Sequence, residues 1–151
     1  PRPAGLLFEV LHEETLSLVL PSDHPQARRG GAVPVASLRE DVWVSSASGT
    51  GHHALVVGTC RSLGGFEPDL RHHSNDSDVQ LDLVRTAGAV ALLPALTLPA
   101  DDPSLAVRPL HATLGRRLVV ITREGPPTPA LETFLATVRD RASTLSRSRT
   151  R

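Results

Sequence analysis

Short, nearly solid apolar runs alternate along this chain with stretches whose apolar residues recur at helical spacing. Leu16-Ser17-Leu18-Val19-Leu20, closed by Pro21, predicts a strand buried on both faces. Val42-Trp43-Val44, Asp69 to His72, Ala89 to Leu93 before Pro94, Val107 to Leu110 and Leu118 to Thr122 predict further strands. Between them, Thr50 opens a helix to about Leu63, with Val56, Val57, Cys60 and Leu63 on one stripe and Gly64-Gly65 as its stop. A second helix follows Asn75, which with Asp78 approximates a capping box, and its core-facing stripe is Val79, Leu83, Val84 and Ala87. Thr128-Pro129 is a helix start followed by Leu131, Phe134, Leu135, Val138 and Ala142 at regular spacing. Ser22 to Pro25 and Arg28 to Gly31 are turns, Ser37 caps a short helical turn through Asp41, and Gly115-Arg116-Arg117 reads as a hairpin tip. Strands alternating with helices argue for α/β layers around a mainly parallel sheet.

Composition narrows the picture. A chain of 151 residues suits one domain. Sixteen basic side chains balance sixteen acidic ones, so the chain lacks the broad positive footprint that binding to nucleic acid requires. The single cysteine excludes an internal disulfide. No apolar run approaches the roughly 18 residues that span a bilayer, and Pro1-Arg2-Pro3 lacks the order of a signal peptide. The absence of Met implies that the chain is a piece of a longer protein. The Ser/Thr/Arg run over 143–151 reads as a solvated, frayed tail rather than a basic arm.

Candidate chemistry is sparse. In open α/β sheets, ligands bind beyond the carboxyl ends of the strands, where helix N-termini present unpaired N–H groups. Two small, polar segments fit that position: Ser45 to Gly51 after the Trp43 strand, and Ser74 to Ser77 after the Leu70 strand. Pattern alone favours the plainer reading, in which Thr50 and Asn75 merely cap their helices. The adjacent pairs His52-His53 and His72-His73 point their side chains in different directions, so neither can chelate as a unit. His52 is nonetheless placed to neighbour a ligand at the first helical turn. No zinc motif, no G-x-S-x-G elbow and no phosphate-loop lysine accompanies them. Cys60 sits on an apolar stripe where a thiol is inert. Trp43 reads as a core anchor, and Asp101-Asp102 as a solvated loop. No catalytic residue, metal or cofactor is expected.

The order of landmarks carries a resemblance. Glu14 to Val19 precede Asp23-His24-Pro25; Val35-Ala36-Ser37-Leu38 precede Trp43; Cys60-Arg61 precede Gly65-Phe66-Glu67-Pro68; Leu83-Val84 lead to Ala91-Leu92-Leu93-Pro94; and Phe134 lies in the last helix. From about Phe8 to Val138 the chain resembles the effector-binding domain of LysR-type transcriptional regulators. The resemblance implies a type 2 periplasmic-binding-protein-like α/β fold, with lobe II essentially complete and lobe I partial. Residues 1–32 would be a lobe I segment and crossover, 33–107 lobe II, 108–142 the return to lobe I, and 143–151 a disordered tail. The first part of lobe I and a helix-turn-helix domain are expected upstream, leaving the Leu16–Leu20 strand and the Leu131–Ala142 helix without partners. The implied function is sensing, not catalysis: a cytoplasmic bacterial regulator, oligomeric when whole, that binds a small anionic metabolite in an interlobe cleft and DNA only through the upstream domain. The implied effector-binding residues are Ser45, Ser46, Ser48, Gly49, Thr50, Gly51, Asn75, Asp76 and Ser77. One departure is that Ala87 and Ala89 stand where the family carries glycine, each adding a Cβ at a point of close backbone approach. The alternative is a solute-binding protein, or an enzyme such as a dehydratase domain, on the same lobes. The residues upstream of Pro1 would discriminate the two.

Overall fold

A computed structural model describes residues 3–148. The chain divides into two compact units, one of residues 15–114 and one of residues 1–14 with 115–151. The elements run β1 (Leu6–Pro21), α1 (Pro25–Arg28), β2 (Val42–Ser45), α2 (Gly51–Thr59), β3 (Asp69–His73), α3 (Ser77–Ala87), β4 (Ala91–Pro94), β5 (Leu105–Arg108), β6 (Gly115–Arg123) and α4 (Pro129–Ser148). Short 3-10 turns occupy Val35–Leu38 and Ala95–Thr97.

The larger unit holds a mixed sheet, not the mainly parallel one expected. The second half of β1 pairs antiparallel with β4, Leu18 opposite Leu92, and with β5, Leu18 opposite Arg108. The strand at Leu16–Leu20 therefore has partners on both sides, contrary to the expectation that it lacks them. β2 pairs parallel with β3, and a parallel bridge from Trp43 to Val90 continues the ladder towards β4. Pleating sorts the apolar residues into two layers. Leu16, Leu18, Leu20, Trp43 and Leu92 pack with Val56 and Cys60 of the α2 side, while Val19, Val44, Ala91 and Leu93 pack with Leu81 and Val84 of α3. Trp43 is fully buried, as its role of anchor requires, and its indole N–H donates to the Leu38 carbonyl at 3.2 Å.

Three helical details depart from the pattern. After Thr59 the chain widens into a π-turn over Cys60–Gly64, which carries Leu63 off the stripe and leaves it 41% exposed. On α3 the buried face is Gln80, Leu81 and Val84, one residue round from the expected stripe, so that Val79 is 46% exposed. The helix after Thr128 does not stop at Ala142; its backbone is helical to Ser148, so residues 143–148 are not a frayed tail, and residues 149–151 lie outside the described residues. Gly88 ends α3 in the left-handed region at φ +67°. The freedom that an L side chain lacks is thus supplied at Gly88, and Ala89 on its C-terminal side packs fully buried beside Val84 and Val19.

In the smaller unit β6 pairs with the first half of β1. Gly115-Arg116-Arg117 is the start of a strand and no hairpin tip: Arg116 Nε donates at 2.7 Å to Glu14, whose side chain is wholly enclosed. Thr128 caps α4 by accepting from Leu131 N, Leu135 of that helix is buried, and Arg139 pairs with Glu9 of β1. The helix is therefore not without partners.

Candidate functional site

Both small-residue segments lie in the larger unit, at the carboxyl ends of neighbouring parallel strands. β2 and β3 run in register from Val42 opposite Asp69 to Ser45 opposite His73, with one irregularity after Trp43. The ladder continues through Ser74 N, which donates to the Ser45 carbonyl at 2.9 Å. The loop before α2 and the loop before α3 are thereby placed side by side. Asn75 ties them together: its Oδ1 accepts from Ala47 N at 3.0 Å.

Asn75 is consequently not the cap of α3. That role falls to Asp76, whose carboxylate accepts from Asp78 N at 2.8 Å and from Val79 N. Thr50 does cap α2, accepting from His53 N at 3.2 Å while its own hydroxyl donates to the Ala47 carbonyl at 2.7 Å. Gly49 turns the loop at φ +86°, a conformation costly for any residue with a Cβ. A Cβ built on Gly49 or Gly51 would meet nothing within 4 Å, so the space in front of both is open.

Several expected ligand contacts are already committed inside the protein. Ser45 is fully buried, and its hydroxyl lies 2.9 Å from the Ser46 carbonyl and 3.2 Å from His53 Nδ1. Ser46 N donates to His52 Nδ1 at 3.1 Å, and the Ser46 hydroxyl lies at the same distance from that nitrogen. His52 Nε2 sits 2.8 Å from the Leu92 carbonyl, which can only accept, so in the neutral ring the proton is on Nε2 and Nδ1 is the acceptor. The hydroxyls of Ser45, Ser46 and Thr50 thus all make hydrogen bonds that shape the loop. Donors without a hydrogen bond among the described residues remain: the N–H groups of Gly51 and His52, the Asn75 side-chain amide, and the Ser48 and Ser77 hydroxyls. They lie at the starts of α2 and α3, and at a helix N-terminus the partial positive charge of the peptide dipoles favours an anion. Asn75, Asp76 and Ser77 also line an open cavity of about 610 Å³ together with Asp78, Arg85 and Leu96, on the side of α3 away from the Ser45–Gly51 loop, no residue of which lines it. That volume is in the range of small-molecule sites.

His53 and His73, one from each adjacent pair, come together across the two loops with ring centroids 5.8 Å apart. Among the described residues no group of three or more His, Cys, Asp or Glu is placed to hold a metal ion. Burial, with the nearby Glu67 charge, pushes the Cys60 thiol up to about 12, which keeps it protonated. Asp102 is not simply solvated: the Ser104 hydroxyl and Arg85 hold its carboxyl below the usual carboxylate range. Gln80, behind the two loops, is a site neighbour that the periodicity of α3 did not reveal, since a polar residue on the buried face reads as a surface position.

A family model described as the LysR substrate binding domain matches residues 1–143. The chain belongs to this family. The LysR-type fold is type 2 periplasmic-binding-protein-like, and solved relatives share it. A regulatory domain of CcmR from Synechocystis PCC6803, in complex with 2-PG, is 17% identical with a TM-score of 0.77, covering 94% of this chain and 70% of that one. The C-terminal domain of a probable LysR family regulator from Rhodococcus sp. RHA1 is 22% identical with a TM-score of 0.75, covering 90% and 68%. Full-length CbnR bound to its target DNA is 23% identical with a TM-score of 0.73, covering 94% and 50%. This chain therefore spans about half of that full-length LysR regulator. No curated protein matches it. Membership in the LysR family does not favour the solute-binder or dehydratase alternative. Among the described residues no helix is long and apolar enough to cross a membrane.

Proposed function

We propose that this LysR-type domain is the sensing part of a bacterial cytoplasmic transcriptional regulator. It binds a small anionic metabolite at the paired loops Ser45–Gly51 and Asn75–Ser77, and does not catalyse. In this reading residues 1–32 are a segment of the family's first lobe and a crossover, residues 33–107 its second lobe, and residues 108–142 the return to the first. DNA is bound by a helix-turn-helix domain outside this chain, in an oligomer of the whole protein. The observation that carries the reading is the set of donors left over once the loops have satisfied themselves: the Gly51 and His52 amides and the Asn75 amide group, with open space in front of the glycines. Ser48 and Ser77 supply hydroxyls at the rim, while Ser45, Ser46, Thr50 and Asp76 hold the frame.

The test is titration of the 15N-labelled chain with sodium sulfate, and separately with 2-PG, against sodium chloride at matched ionic strength. Selective amide shifts at Gly49, Gly51, His52 and Ser77 are expected. Asn75→Leu, which removes both the donor and the tie to Ala47, should abolish them while circular dichroism shows the helices retained. Uniform small shifts across the chain, identical in chloride, would remove the anion site.

A further inference from the structure

Gln80 is a buried amide at the first turn of α3, only 2% exposed, and it is half used. One Nε2 hydrogen reaches the Ser74 carbonyl at 2.6 Å, in the loop before α3, and the other is directed at Ser46 Oγ, 3.5 Å away in the loop before α2. Its Oε1 is buried and has no partner. A buried acceptor left unsatisfied is a penalty that an apolar side chain of the same length would not carry. The favourable polar contacts of this residue therefore run entirely through Nε2, to one residue on each loop.

From Ser46 the direction of the hydrogen bonds is set by the far end. Leu92 O can only accept, so His52 Nε2 carries the proton and Nδ1 accepts. The single lone pair of Nδ1 is then shared between the Ser46 N–H and the Ser46 O–H, both at 3.1 Å. With its proton committed to His52, Ser46 Oγ is left as an acceptor, which is what Gln80 Nε2 addresses. Each donor passes to the next acceptor in one sense, from α3 through the loop before α2 and the first turn of α2 to the Leu92 carbonyl in β4.

We propose that Gln80, Ser46 and His52 form a directed hydrogen-bond relay, with Gln80 as the positioning residue that holds the two anion-binding loops in register and turns the Ser46 hydroxyl inward. The inference rests on the loops being the anion site, but the relay has readouts of its own. By turning the Ser46 hydroxyl inward, the relay leaves recognition to the backbone amides, the Asn75 amide and the rim hydroxyls of Ser48 and Ser77, all donors suited to a fully ionised oxyanion that can only accept.

The experiment uses the whole chain and the variants Gln80→Met, His52→Phe and their double. Gln80 and His52 are linked through Ser46, so their effects on the unfolding equilibrium constant should be coupled by about threefold or more. That coupling should vanish when Ser46 is Ala. The imidazole 15N spectrum of the unsubstituted chain should show His52 as the Nε2–H tautomer. Sulfate should bind Gln80→Met about three- to tenfold more weakly, the scale of one lost hydrogen bond. Additive effects of Gln80→Met and His52→Phe, or an Nδ1–H tautomer in the unsubstituted chain, would overturn the relay, and the spectrum decides even if a variant does not fold. Failure of sulfate to bind the unsubstituted chain would instead remove the anion site, while the coupling and the tautomer still judge the relay.

Discussion

Gly64 shows how much a single hydrogen atom can matter in this fold. A Cβ at that position would drive into the Phe66 ring and lie 3.1 Å from Val35 Cγ1. Phe66 has little room to yield: it is 7% exposed, its ring centroid is 6.4 Å from that of Trp43, and the Arg39 guanidinium lies over it at 5.4 Å. Gly64→Ala should therefore cost about 1–3 kcal/mol, the scale of an overpacked core. Urea unfolding would measure it, and a loss below about 0.5 kcal/mol, ordinary for a surface change, would show that the ring is free to move. At this scale the caps of Thr50 and Thr128 were legible, because a hydroxyl before a helical pattern has one obvious acceptor role. The exchange of roles between Asn75 and Asp76 was not: both side chains can cap, and only the approach of Ala47 N from another loop decides which of them does. Nor could the inward commitment of Ser46 be read, since it depends on Leu92, far along the chain.

Elements were legible where their apolar period was unbroken and blurred where polar residues served a buried face. β1 runs from Leu6, not Leu16, because Glu14 and His12 alternate inward along its earlier half and hide the strand among charges. The stripe of α3 was misplaced by one residue for a similar reason: Gln80 occupies an inward position, and Val79 takes the solvent. The connection before β5 has more structure than its two acidic residues suggested. Arg85 of α3 reaches Asp102 at 2.7 Å and also pairs with Asp82, while the Ser104 hydroxyl and N–H donate to Asp102. These bonds, Ser104 first and then Arg85, lower the Asp102 carboxyl in the folded chain. A folded value below the unfolded one contributes stability above the unfolded value of about 3.9, and that contribution is lost as pH falls through the folded value. Asp102→Asn should accordingly melt at a measurably lower temperature at pH 7, with the gap narrowing below about pH 4. A gap that stays the same down to pH 2.5 would mean that the side chain acts only through packing.

For the molecule as a whole, the alternation of strands and helices was enough to indicate the fold class, while the pairing of β1 with β4 and β5 was not, because antiparallel partners this distant leave no local signature. The two units differ in how well they bury what they carry. The larger has apolar layers on both faces of its sheet, with Leu18, Val19, Leu20, Leu38, Trp43, Val84 and Leu92 fully enclosed. In the smaller, Leu135 and Ala142 are the buried apolar residues among those described, while Leu7, Val10, Val119, Ile121 and Phe134 are exposed. Burial of a large apolar side chain is worth roughly 1.5–3 kcal/mol, so the larger unit holds most of the driving force for folding. Amide exchange follows local opening, which is cheapest where few apolar contacts are lost. The amides of Leu83 to Leu93 should then exchange with the slow rates of global unfolding, and those of Leu131 to Val138 at least a hundredfold faster, a difference of about 2.7 kcal/mol in opening. Mass-resolved exchange of the monomeric chain measures both segments together. Equal, strong protection of the two would show that α4 is held as firmly as the core of the larger unit, and that the apolar residues exposed in the smaller one cost it nothing.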